Sequence, residues 1–210
     1  MSGFYTTIVC RNILPLSVSQ FLPEAFKEWY FTGYTYDYGK PVETCQLCEK
    51  EELRYHFQIM NSLTEKALMV GSQCILKFDV VVFEDGLKLD RKEAASKLNR
   101  LVGEMRLTSC LQALEKVADS ENNDILRNAV RFYRNYHYLS PKQAFVVLWR
   151  LKKHQIDHNP SFFKINLKNS KYRHDLETMS SDRLKLLLPA LSASQRKSLS
   201  NHNNKRKIAA

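Results

Sequence analysis

Three cysteines and a histidine between positions 45 and 74 are the residues of this chain best suited to chemistry. The stretch reads C-Q-L-C-E-K-E-E-L-R-Y-H-F-Q-I-M-N-S-L-T-E-K-A-L-M-V-G-S-Q-C. Its opening C-x2-C turns the sulfurs of Cys45 and Cys48 toward one point, and Cys74 closes it. With His56 they make a complete tetrahedral ligand set for one zinc ion. Glu49, Glu51, Glu52, Ser72 and Cys10 compete with His56 for the fourth place. Four protein ligands would close the site and make the ion structural rather than catalytic. Two other readings of the same residues are a redox dithiol and plain buried thiols. No βαβ pattern surrounds the C-x2-C, which argues against the dithiol.

The flanking pattern positions these ligands. Leu53, Tyr55, Phe57 and Ile59 alternate with Arg54, His56 and Gln58, so a strand puts His56 on its polar face. Asn61 to Thr64 reads as a turn and Ala67 to Val70 as the returning strand. Gly71-Ser72 bends the chain, with Ser72 as N-cap of a short helix from Gln73 to about Phe78. Cys74 then lies in the first turn of that helix. Knuckle, hairpin and helix-borne ligand together outline a treble clef.

The run C-Q-L-C-x5-R-Y-H-F-x-I, followed by V-G-S-Q-C-I, resembles a pattern in small uncharacterised zinc-binding proteins of bacterial phages, plasmids and integrated elements. The resemblance covers about 35 residues of the chain. A weaker likeness continues through L-S-P-K-Q-A and A-L-S-A-S-Q-R. It implies a zinc site at Cys45, Cys48 and Cys74, with His56 beside them, and no known activity. One departure is Glu49, where such knuckles often carry glycine after the second cysteine.

Charge divides the chain. Residues 1–140 hold 17 Lys/Arg and 18 Asp/Glu, whereas residues 141–210 hold 15 and 4. The positive excess is confined to the last third, which points to a polyanion, most often nucleic acid. The expected contacts are Lys142, Arg150, Lys152, Lys153, Lys164, Lys168, Lys171 and Arg173. A host protein with an acidic face is the alternative partner. Arg127, Arg131 and Arg134 share a helix face that suits phosphate or plain solvation. Tyr34, Tyr36 and Tyr38 alternate on a strand, as bases would need for stacking, but Asp37 interrupts them and few cations flank them.

The rest of the chain supplies a scaffold. Phe4 to Val9 is rich in aromatic and β-branched residues and reads as a strand. Pro23 to Trp29 reads as a helix, and Phe78 to Phe83 as a strand before the Asp85-Gly86 turn. Asp90 and Glu93 form a capping box for a helix that breaks near Leu107 to Ser109. Further helices run from Ile125 to about Tyr136 and from Pro141 to about His154, the latter capped by Ser140. The pair makes a poor helix–turn–helix, because its connection lacks the usual glycine. His154 and His158 are spaced for a second metal only if that helix continues past Asn159-Pro160. Phe162 to Leu167 alternates as a strand, Lys168 to Arg173 is a polar connection, and Asp182 to Leu188 is a short helix.

These readings give an α+β chain. Residues 1–88 form a zinc-stabilised β-hairpin module and 89–197 a mainly helical basic part, with a disordered basic tail over 198–210. No phosphate-binding glycine loop, G-x-S-x-G, H-E-x-x-H or deaminase motif is present, so the expected role is binding rather than catalysis. Five cysteines, an odd number, suit a reducing compartment. No apolar run reaches membrane-spanning length and the N-terminus lacks signal-peptide character, so a cytoplasmic protein with no membrane partner is expected.

Overall fold

In the computed structural model, residues 3–208 are described, with side chains for 6–200. The chain divides into two compact units, Met1–Arg106 and Leu107–Ala210. The architecture is α+β, with the sheet in the first unit and helices in the second.

The first unit begins with helix α1 (Gly3–Ile13). The strand expected over Phe4 to Val9 is therefore a helix. Val9 and Ile13, four apart, both reach the core at 0% exposure, and that tertiary burial overrides the β preference of the local residues. A single turn, α2 (Leu22–Ala25), leads into β1 (Trp29–Asp37). β1 pairs antiparallel with β2 (Tyr55–Asn61), and β2 with β3 (Ala67–Val70), in the order β1-β2-β3. The β1–β2 register shifts between Phe31 and Thr35. Gly33 lies in that bulge at φ +90, a conformation that favours glycine.

Trp29, Phe31, Phe57 and Ile59 form the core face of the sheet, joined by Leu47, Val70 and Ile75. Each such apolar side chain contributes about 1.5–3 kcal/mol when fully buried. The Trp29 indole nitrogen donates to Ser17 Oγ at 2.9 Å, so its one polar atom is satisfied. Asn61 donates to Glu28 at 2.7 Å, and Glu28 also accepts from the backbone of Val18 and Ser19. These bonds tie the approach to β1 onto the end of β2.

After β3 comes α3 (Ser72–Lys77), whose N-cap is Gly71 rather than Ser72. The strand expected over Phe78 to Phe83 reduces to the two-residue β4 (Phe83–Glu84), hairpinned to β5 (Leu87–Lys88) through Asp85-Gly86. Val80 and Val82 are buried in the core without a full ladder partner, Val81 alone bridging to Tyr30.

Helix α4 (Arg91–Ser120) runs unbroken through the position where a break is expected. Its first part gives Ala94 and Leu98 to the core of the first unit, and its last part gives Leu111, Leu114 and Ala118 to that of the second. In the second unit α5 (Asp124–Tyr136) is capped by Asn123, whose side chain accepts from Leu126 N. His137 ends it at φ 57, taking the left-handed position that a glycine would usually fill. Helix α6 (Pro141–Lys153) starts with the expected Ser140 cap, which the structure extends to a box: Ser140 accepts from Gln143 N, and Gln143 accepts from Ser140 N. Its Ala144, Val147, Leu148 and Leu151 are buried.

Phe162 to Leu167 is not a strand. A 3-10 turn at Pro160–Phe162 is followed by a bridge between Leu139 and Ile165, beside which α6 starts at Pro141. Helix α7 (Ser170–Glu177) replaces the expected polar connection. Helices α8 (Ser181–Leu187) and α9 (Ala193–Ile208) complete the unit. α9 overlaps the stretch read as a tail from residue 198. Among the described residues, no helix is long and apolar enough to cross a membrane.

Candidate metal centre

The knuckle is held by its own backbone. Glu49 N donates to Cys45 O at 2.8 Å and Cys45 N to Lys50 O at 2.9 Å, while Glu43 and Leu53 bridge its base. It is fastened along β3, with Gln46 N on Met69 O at 3.0 Å and Met69 N on Gln46 Oε1 at 2.6 Å. From α1, Asn12 reaches Leu47 O, and Arg11 forms an ion pair with Glu49 at 2.6 Å. Glu49 sits at φ 59, the left-handed region that favours the glycine expected there. Its carboxylate bonds to Arg11 and Asn12 hold it in that conformation.

This frame brings Cys45, Cys48 and Cys74 together. Cys45 Sγ lies 3.7 Å from Cys74 Sγ, which lies 3.3 Å from Cys48 Sγ. These separations are far beyond a disulfide's ~2.05 Å. They approach the ~3.8 Å edge of a tetrahedron built with metal–sulfur bonds of ~2.3 Å. Cys45 and Cys74 are buried and Cys48 is partly exposed. Among the described residues this is the one group of three or more potential ligands whose donor atoms meet. Gly71 allows the approach: a Cβ there would come within 3.2 Å of Leu53.

The electrostatics favour an anionic sulfur. The Cys74 thiol beside it, together with the backbone of Gly71, Cys48 and Leu47, pushes the Cys45 thiol down to about 5. Cys74 is pushed up, first by its hydrogen bond to Cys45 and then by burial. Cys45 thus ionises readily, and a divalent cation is what would let Cys74 beside it ionise too.

His56, the expected fourth ligand, is not in the group. It lies on β2 one residue from Phe57, so it points to the opposite side of the sheet. The knuckle packs with the core face, where Cys45 joins Phe57 and Ile59. His56 is buried all the same, at 3% exposure, under β1 tyrosines. Its Nδ1 is 3.2 Å from Tyr38 Oη, and its Nε2 has no hydrogen-bond partner among the described residues. Burial first, then the Glu43 charge, pushes the Tyr38 phenol up. The Tyr38 ring meets the His56 ring edge-on at 5.3 Å, and Tyr36, which keeps an exposed surface, stands 4.5 Å from Tyr38.

The eight expected phosphate contacts are all in the second unit, and three of them are ion-paired there. Lys142 is ion-paired with Asp175 at 2.8 Å. Arg150 and Lys153 are both held by Glu121, at 2.6 and 2.8 Å, with His154 at 3.0 Å. The Lys153 ammonium first, then His154 and Arg150, hold the Glu121 carboxyl down to about 2. Arg173 donates to the carbonyls of Leu167 and Lys168. Lys152, Lys164, Lys168 and Lys171 are exposed and have no ion-pair partner among the described residues. Lys142 and Lys152 stand at the two ends of α6, about 15 Å apart along its axis.

Sequence reasoning missed Trp149. It is 41% exposed, with the Arg150 guanidinium 4.0 Å and the Lys153 ammonium 5.5 Å from its ring. The W-R-x-K-K order at the basic end of a capped helix was the available signal. His158 bonds the Ile156 carbonyl and shares no ligand with His154. Arg127 and Arg134 are committed to Asp119, Asp124 and Glu115. No family model, curated protein or solved structure matches this chain.

Proposed function

We propose that this chain is a zinc-stabilised binding protein whose second unit contacts nucleic-acid phosphate. Zinc is the ion the donors favour, because three soft thiolates at tetrahedral spacing suit it and it adds no redox chemistry. The five described cysteines, all free thiols, suit a reducing cytoplasm. The resemblance over Cys45 to Cys74 is the support for a bacterial phage, plasmid or integrated element as the setting.

One observation carries the nucleic-acid reading. The second unit holds 19 Lys/Arg against 8 Asp/Glu, whereas the first holds 13 against 14. The charge division thus follows the structural one. Ion pairs occupy Glu115, Asp119, Glu121, Asp124, Asp175 and Asp182, which leaves exposed lysines in excess. Trp149, with cations at its ring, supplies a surface on which an unpaired base can stack.

The test is anisotropy of labelled single-stranded DNA, duplex DNA and RNA with the zinc-loaded full chain across a salt series. Replacing Lys152, Lys164, Lys168 and Lys171 together with Gln should weaken binding and reduce the salt slope by about 3. Unchanged affinity in that variant would end the reading. Equal loss of all three ligands near physiological salt would do the same, and would turn the search to an acidic protein partner.

A further inference from the structure

A cavity of about 480 Å³ lies at the three cysteines. Cys45, Cys48 and Cys74 all line it, with Leu53 as an apolar wall and Lys50 and Lys77 among its cationic groups. Its size lies within the ~300–1,000 Å³ of small-molecule sites and far exceeds the ~30 Å³ share of one water. The described residues offer three ligands to a metal that takes four. Of the other candidates, Glu52 and Ser72 line this cavity outside the close group of three sulfurs, and His56 is on the other face of the sheet.

We propose that the metal held by Cys45, Cys48 and Cys74 keeps its fourth coordination position open to this cavity, where a low-molecular-weight thiol binds as the thiolate. The inference rests on the metal reading above and replaces its closed, purely structural site with a ligand-binding one. Three thiolates donate strongly to the ion and blunt its ability to ionise water, so a soft sulfur donor suits the remaining position better than hydroxide. On binding, the thiol's proton leaves to solvent and a metal–sulfur bond forms, with no change of oxidation state. A divalent ion with four thiolates carries a net charge of −2, and the charged groups of the lining, Lys50, Arg54 and Lys77 against Glu52, sum to +2.

The experiment loads the full chain with one equivalent of Co(II) and titrates in 2-mercaptoethanol, with absorption and native mass spectrometry as readouts. Sulfur-to-cobalt charge-transfer absorption should begin at a three-thiolate intensity. It should then rise by about one third as the fourth thiolate joins, saturating at one thiol per metal. The mass spectrum should show chain, metal and thiol at 1:1:1. His56→Ala should leave the starting spectrum unchanged. A four-ligand spectrum indifferent to millimolar thiol would overturn the proposal, as would a His56→Ala variant that alters the starting spectrum. A chain that takes up no stoichiometric Co(II) or Zn(II) would overturn the metal reading and this inference with it. A metal-loaded chain that ignores thiol would overturn the inference alone.

Discussion

The two units reach order by different routes. The first has a three-stranded sheet, one face of which packs with α1, the knuckle and α3. Its knuckle is nine residues of loop between Glu43 and Leu53 with only Leu47 and the cysteine sulfurs turned inward. The second closes an apolar core around α6, with Leu126, Val130, Leu148, Phe163, Leu176 and Leu187 from five separate segments. No group of three or more potential metal ligands occurs in it among the described residues. A loop that cannot bury enough apolar surface to hold itself needs a cross-link, and three thiols are placed to provide one. The helical unit needs none. It spends its polar residues on surface charge instead, and its net charge of +11 contrasts with −1 in the first.

The strongest way to break this contrast is to remove the cross-link. With the proposed metal bound, chelation or Cys45→Ser should disorder the knuckle and hairpin, at a cost on the order of 10 kcal/mol where metal binding and folding are coupled. Hydrogen exchange should then show fast amides over β1, β2 and β3, with α5 and α6 still protected. Loss of protection in both units together would show that the second depends on the first. Leu148→Ala probes the other side. Leu148 is 1% exposed in the middle of α6, and its truncation should cost about 2–5 kcal/mol through lost burial and a cavity. Denaturation followed by α5 and α6 protection should report the loss, while metal stoichiometry should stay at one.

The same contrast explains what was legible in the sequence. Cys45, Cys48 and Cys74 were readable because each sits in a short local signal, a C-x2-C turn or a glycine before a helix. The Ser140 cap was readable for the same reason, as was the departure at Glu49, which the structure shows at φ 59. His56 was not. Alternation assigns it to the face opposite Phe57 but cannot say on which face the knuckle packs. The knuckle's position is decided by Gln46 on Met69 and Asn12 on Leu47, contacts across more than twenty residues. Helix α1 was misread because strand propensity reports half-buried surface, which a helix can also supply. Helix α7 was missed because only Leu176 of its eight residues is buried, too little for a periodic signal. The basic excess was legible as charge but not as geometry, since sequence does not show that Asp175 pairs with Lys142 and that Glu121 pairs with both Arg150 and Lys153.

Smaller changes sharpen the comparison within the helical unit. Ser140→Ala removes the acceptor for Gln143 N and should cost about 1 kcal/mol, read as a lower midpoint of the second unit alone.

The smallest expected effect is pH-dependent and belongs to Glu121. Its folded carboxyl titrates at about 2, below the ~4.3 of an unperturbed glutamate, because Lys153, His154 and Arg150 hold the ionised form. A carboxyl lowered on folding stabilises the fold fully above its unfolded value, and that contribution is lost as pH falls through the folded one. Wild type should therefore exceed Glu121→Gln in stability at pH 6, with the gap closing between about pH 5 and pH 2. Acid would also protonate the thiols and release the proposed metal, but equally in wild type and variant, so the difference between them isolates the second unit. A gap that persists at pH 2 would mean that the Glu121 cluster acts through packing of Arg150 on Trp149 rather than through charge. A gap that closes as stated, with the chelator response of the first unit unchanged, would place charge linkage in one unit and metal linkage in the other.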